Sequence, residues 1–298
     1  MSTSRAKRFD WKADLAARLA SGATLVDTAR GPVEYADVGE GAPILFVHGA
    51  PGGYDQSQVV AQHYELSGYR LIGPSRPGYL RTPITSGKST LEQAEMLAAL
   101  LDALDVPRVP TVAHSTGAAI AIHFAARYPE RCSGLYLAAG VYRPLPGARA
   151  SRFALGFLEP LLQAAEIPQH ATAQLVRRIG TTVVRVRPGR PLPLELAALP
   201  YLIETLLPAS LRAPGLANDL HNLAALAPPP FDRLACPVWL THSRADIVIP
   251  IAHSRFAAHH IAHAHFDTTW GHHYVFYVPN AADKRGMHAF LAQCGRGS

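Results

Sequence analysis

The chain has 298 residues, 48% of them hydrophobic and 17% charged, which is ample material for one large core and excludes an intrinsically disordered chain. Its formal net charge of +6 comes from scattered Lys and Arg with no run of four, so a nucleic-acid partner is not expected. Three widely spaced cysteines (Cys132, Cys236 and Cys294) form no paired motif and read as ordinary small apolar side chains in a reducing compartment.

The first 26 residues hold no continuous apolar stretch of signal-peptide type, and no segment approaches a transmembrane helix. A soluble cytoplasmic protein with no membrane partner is the expectation. Residues 10–20 read as a short amphipathic helix. "TLVDT" and "VEYADV", separated by "ARGP", read as a hairpin at a sheet edge. "APILFVHG" is a continuous apolar run ending in Gly, the pattern of a strand buried on both faces, and "YRLIGPS" repeats it in shorter form. A helix is predicted from Thr90 to Leu104, with Thr90 as N-cap, Gln93 completing a capping box, and Leu97, Leu100, Leu101 and Leu104 on one face. "VPTVAH" is the next strand, residues 116–128 the next helix, stopped by Pro129, and "GLYLAAG" another buried strand.

From Arg143 to Pro230 the composition shifts to Pro, Leu, Ala and Arg and reads as short helices. The strand–helix rhythm resumes at "CPVWLTHS", runs through a helix near 252–262 and "AHFDTTWGHH", and ends in a helix carrying Met287, Phe290 and Leu291. Strands alternating with helices predict an α/β fold, a mostly parallel sheet covered on both faces. Residues 1–142 and 231–298 would form that core, and 143–230 an inserted helical cap over one end of the sheet.

Chemistry centres on "AHSTG", Ala113 to Gly117, placed between a strand and a helix. That is the setting of a nucleophile elbow, whose tight turn demands small flanking residues. Gly117 meets the demand, and Ala113 adds one methyl; the alternative is that Ser115 and Thr116 only start a helix. A serine nucleophile needs a base, an acid that orients it, and donors for the oxyanion. "FVHGAPGG" ends a buried strand with exposed backbone N–H groups, so the N–H of Ala50 and that of Thr116 could form a two-donor oxyanion hole. His48, just before Gly49, suits a loop-holding role better than that of a base. Asp246 follows the strand of "LTHSRADIVIP", and His272 follows Trp270-Gly271, giving the order Ser, Asp, His. His114 and Gly49, next to these groups, are expected to contact substrate.

These segments resemble the α/β-hydrolase superfamily, in its serine-nucleophile, esterase-like branch. The likeness spans about residues 33–142 and 231–293 and rests on HGAPGG, "SRPGYLRTP", AHSTG, "HSRADIVIP" and "WGHH". The resemblance implies Ser115 as nucleophile, His272 as general base and Asp246 as its orienting acid, with Ala50 and Thr116 at the oxyanion hole. It implies no cofactor and a small-molecule, ester-like substrate. Ala113 replaces the usual first Gly of the elbow. Ser75 and Leu80 stand where many relatives have Asp and Gly, a change expected to affect a structural turn. His273 competes with His272 for the role of base.

The same three residues would also serve carbon–carbon bond hydrolysis, perhydrolysis or aminopeptidase-like cleavage, and two rivals of other kinds remain in the sequence. Seven histidines lie between His253 and His273, and "HAHFD" resembles part of a metallohydrolase string, but Thr268 stands where a closing ligand is needed, so no metal is expected. A non-enzymatic ligand receptor on the same fold is the other, since fold does not fix function.

Overall fold

The computed structural model describes residue 17 and residues 19–145 and 205–295. Most of the helix expected at 10–20 and most of the expected cap lie outside the described residues; residues 17, 19 and 20 are helical. Among the described residues, eight strands form one sheet: β1 (Thr24–Thr28), β2 (Gly31–Val38), β3 (Ala42–Val47), β4 (Tyr69–Pro74), β5 (Val109–His114), β6 (Cys132–Ala138), β7 (Val238–Ser243) and β8 (Ala264–Thr269). Their spatial order is β1-β2-β4-β3-β5-β6-β7-β8. β1 and β2 pair antiparallel as the edge hairpin, β2 is antiparallel to β4, and the pairings from β4 to β8 are all parallel.

The helices that concern the site are α1 (Asp55–His63), α2 (Thr90–Ala103), α3 (Gly117–Arg127), α4 (Ala213–Ala224), α5 (Ala252–His260) and α6 (Ala281–Gly295). The continuous apolar runs of the central strands follow from helices on both faces. In β3, Leu45 and Val47 enter the core under α2, α3 and α5, while Ile44 and Phe46 enter the core under α1 and α6. A period-2 strand between two such layers has no face left for polar residues. Met287, Phe290 and Leu291 of α6 are all buried, each burial contributing about 1.5–3 kcal/mol.

The start of α2 differs from the sequence expectation. Ser89, not Thr90, is the N-cap: its Oγ accepts from the Glu92 N–H at 3.2 Å, and Glu92 Oε2 accepts from the Ser89 N–H at 2.8 Å. The S-x-x-E box lies one residue upstream of the predicted one, because only Ser89 has the extended backbone a cap requires.

The chain leaves β3 to one side to form β4 and returns to the other side for β5. This change of direction opens a crevice at the carboxyl ends of β3 and β5, where the His48–Gly53 loop and Ser115 both stand.

Candidate active site

Ser115 follows β5 directly, with φ of 53°, in the left-handed region that costs a non-glycine residue energy. Neighbouring backbone holds it there. The Ser115 N–H donates to Ala138 O at 2.9 Å, and Ser115 O accepts from the N–H of Ala118 and of Val141. The turn is tight enough that a Cβ at Gly117 would stand 2.5 Å from Val47 O and 2.7 Å from His48 O. Ala113 is wholly buried on β5, in register with Val47 of β3 and Leu137 of β6, and its methyl is part of the core.

The histidine that reaches this serine is His273. Its Nε2 lies 3.1 Å from Ser115 Oγ, and its Nδ1 lies 2.7 Å from Asp246 Oδ2. His272, the expected base, is exposed, and its Nδ1 accepts from the Tyr274 N–H at 3.2 Å. The reason is directional. His272 is extended (φ −100°, ψ −174°), so its side chain and that of His273 leave the backbone on opposite sides. Gly271, at φ of 139°, turns the chain so that the second histidine faces inward.

Asp246 sits in the loop after β7. Its Oδ1 accepts from the N–H groups of Val248 and Ile249, at 2.9 and 2.8 Å. His242 approaches Oδ2 from the other side at 3.4 Å. Burial alone would raise the Asp246 carboxyl. Hydrogen bonds from His242 and His273, the His273 charge and the Ile249 N–H outweigh it and hold the group well below the usual carboxylate range. An ionised Asp246 selects the tautomer with the proton on Nδ1 of His273 and leaves Nε2 free to accept from Ser115.

The two residues expected to touch substrate are placed otherwise. His114 is 2% exposed and lies behind His273, ring centroids 4.8 Å apart, among Tyr274, Phe276 and Tyr277. As the last residue of a strand whose next residue turns outward, its side chain points down into the layer under α1 and α6. Burial, then the neighbouring His273, keep His114 well below the usual imidazole value. Gly49 is buried, and a Cβ there would stand 2.9 Å from Ser115 Cβ, so the loop meets the nucleophile through backbone alone.

His48 braces that loop: Nδ1–H donates to Gly49 O at 2.7 Å and Nε2 accepts from the Arg76 N–H at 2.9 Å. Burial and the adjacent Arg76 cation push its pKa well down, which suits a neutral ring with one donor and one acceptor. Among the described residues, the N–H groups of Ala50 and Thr116 have no loop or turn hydrogen-bond partner.

Two buried ion pairs flank these segments, neither visible as a motif. Arg212 donates to Asp55 Oδ2 at 2.7 Å and to Gly52 O at 2.6 Å, and Arg76 donates to Asp219 Oδ2 at 2.6 Å. The partners are far apart in the chain, so spacing carries no signal for them. The histidine-rich stretch disperses: His263 donates to Cys236 O, His265 pairs with Asp267, and His253 accepts from the Tyr142 N–H. No group of three metal-ligating side chains is gathered among the described residues.

This sheet, with a strained serine after β5 that meets a histidine and an acid from the last two strand ends, defines an α/β-hydrolase architecture. The alpha/beta hydrolase fold family matches residues 42–278, and the chain belongs to it. It is 28% identical to an uncharacterized hydrolase of Bacillus subtilis, YcgS, over 81% of this chain and 88% of that protein. A solved alpha/beta hydrolase fold protein from Nakamurella multipartita is 30% identical, with a TM-score of 0.68 over 92% of this chain and 99% of that one. A 2-hydroxy-6-oxo-6-phenylhexa-2,4-dienoate hydrolase of Burkholderia cepacia is 28% identical over a shorter stretch, 37% of this chain and 42% of its own. No helix among the described residues is long and apolar enough to cross a membrane.

Proposed function

We propose that the chain is a serine hydrolase that cleaves a small, hydrophobic carboxylic ester through an acyl-enzyme on Ser115. The observation that carries this reading is the continuous contact from Ser115 Oγ to His273 Nε2 and from His273 Nδ1 to Asp246. His273, rather than His272, is the base in this scheme.

As Ser115 Oγ attacks the ester carbonyl, its proton passes to His273 Nε2, and Asp246 stabilises the imidazolium that forms. The carbonyl oxygen becomes an oxyanion that accepts from the N–H groups of Ala50 and Thr116. Collapse breaks the acyl–oxygen bond, and His273 gives its proton to the departing alkoxide. A water then loses a proton to His273 and attacks the acyl carbon. The second collapse frees the acid and returns the proton to Ser115. No cofactor is needed.

The hydrophobic preference is supported by Ile247, Val248 and Trp270, which are exposed in the same loops as Asp246 and His273. Isolated exposed apolar side chains are common, but three in the loops that carry the site suggest a substrate with apolar groups. Residues 143–230 would act as the cap that selects acyl and leaving groups. The partial likeness to the dienoate hydrolase favours one second reading, in which the same nucleophile cleaves a carbon–carbon bond.

A fluorophosphonate probe, followed by mapping of the modified peptide, tests the assignment. Labelling at Ser115, lost in Ser115→Ala, together with turnover of p-nitrophenyl acyl esters, is the expected result. Labelling elsewhere, or none, overturns it. Turnover of a vinylogous diketone with negligible ester turnover moves the assignment to carbon–carbon cleavage. Tight ligand binding without any turnover points to a receptor.

A further inference from the structure

Arg76, in the "SRPGYLRTP" segment, is fully buried, and all five of its guanidinium N–H groups are engaged. Nε donates to His48 O at 2.9 Å. Nη1 donates to Gln93 Oε1 at 3.1 Å and to Asp219 Oδ1 at 2.8 Å. Nη2 donates to Thr116 Oγ1 at 3.0 Å and to Asp219 Oδ2 at 2.6 Å. The Arg76 backbone N–H adds a bond to His48 Nε2. Asp219 is 4% exposed and also accepts from the hydroxyls of Tyr79 and Thr116, at 2.7 and 3.3 Å.

One cation therefore touches both segments that would supply the oxyanion donors. It grips the end of β3 at His48, two residues before Ala50, and it grips the elbow through the side chain of Thr116. These two segments come from different strands, and a two-donor hole works only if their N–H groups converge to within a fraction of an ångström. A planar, rigid guanidinium is suited to fix that spacing because its five donors are spread over three nitrogens, whereas a lysine gathers its three on one. The charge is tolerated in the interior because Asp219 balances it.

We propose that Arg76, locked by Asp219, is a positioning residue that sets the spacing of the Ala50 and Thr116 N–H donors. Because Asp219 belongs to α4, the helix that brings the chain back to the core is bonded into the same setting. The proposal rests on the reading of Ser115 as an acyl-transfer nucleophile.

Thr116→Val keeps the backbone N–H but removes the hydroxyl, and Asp219→Asn keeps shape but removes the charge. Both are measured with p-nitrophenyl butyrate turnover, butylboronic acid inhibition and thermal unfolding, alongside fluorophosphonate labelling of the wild type. The expected result is a kcat loss of roughly 10- to 100-fold with KM little changed, smaller than the ~10²–10³ that follows outright removal of an oxyanion donor. Boronate affinity, which reports the tetrahedral state, should fall in parallel, and Thr116→Ser should restore both. Variants that melt earlier but keep wild-type kcat and boronate affinity overturn the proposal while leaving the serine reading intact. A wild type that the probe does not label at Ser115 removes the serine reading, and the proposal with it.

Discussion

Asp246 Oδ2 and His273 Nδ1 lie 2.7 Å apart, joining the loop after β7 to the turn after β8. With Nδ1 held by this carboxylate, Nε2 is the imidazole nitrogen that faces Ser115, at 3.1 Å from its Oγ. His272, adjacent in the chain, makes no such bond and caps its own turn.

The two histidines should separate cleanly in kinetics. His273→Ala should lower kcat by on the order of 10⁴-fold or more, the scale seen when a catalytic base is removed from a serine triad. His272→Ala should stay within about threefold of wild type, as for an exposed side chain outside the machinery. Steady-state assays on one ester suffice, and a reversal of the two effects would return the base to His272.

Asp246→Asn should preserve the fold and reduce kcat by about 10⁴-fold, because an amide donating to Nδ1 favours the wrong tautomer. Circular dichroism with kinetics distinguishes this from unfolding. An active Asp246→Asn enzyme would remove the acid from the scheme.

Stability should fall as the pH drops below about 6.5, the ordinary imidazole value. Burial first, then neighbouring Arg76 or His273, hold His48 and His114 well below it in the folded chain. For a base with a depressed folded-state pKa, the unfolded chain binds more protons across that interval. The contribution is full above the unfolded value and shrinks as pH falls through it towards the folded value. Asp246 adds the same sign at lower pH, its contribution present above the unfolded carboxylate value and lost as pH falls towards its depressed one. Thermal melts at pH 7.5, 6.5, 5.5 and 4.5 should show a monotonic fall in Tm, at about 2–4 °C for each kcal/mol lost. A flat profile would mean that the rings are protonated without cost.

At the elbow, Ala113→Gly should leave kcat within about twofold and cost roughly 0.5–1 kcal/mol of stability, through the greater freedom of glycine in the unfolded chain. Gly117→Ala should be far worse, about 1–3 kcal/mol or more, since its Cβ would press on two strand-end carbonyls that cannot retreat. Urea unfolding of the pair measures the contrast. Equal tolerance at both positions would mean that the turn is less tight than its contacts imply.

Much of the fold was legible because it is local. Doubly apolar strands such as "APILFV" exist only where both faces are covered, and the alternation of strand and helix leads directly to a parallel sheet. The cap of α2 was misplaced by one residue because Ser89 and Thr90 are both competent caps, and only backbone conformation separates them. His114 is expected to contact substrate because it neighbours the serine in sequence, yet adjacent side chains at a strand end point opposite ways, and His114 is buried behind His273.

The sequence by itself determined the sheet, the elbow at Ser115 and the order in which serine, acid and histidine follow one another. The first two depend on runs and turn residues within short segments, and the third on the order of motifs along the chain. Only the tertiary structure decided that His273 rather than His272 meets Ser115, and that Arg76 pairs with Asp219 across 143 positions. The first depends on side-chain direction after the turn at Gly271. The second depends on two buried charges finding each other because neither could remain unpaired in a water-free interior.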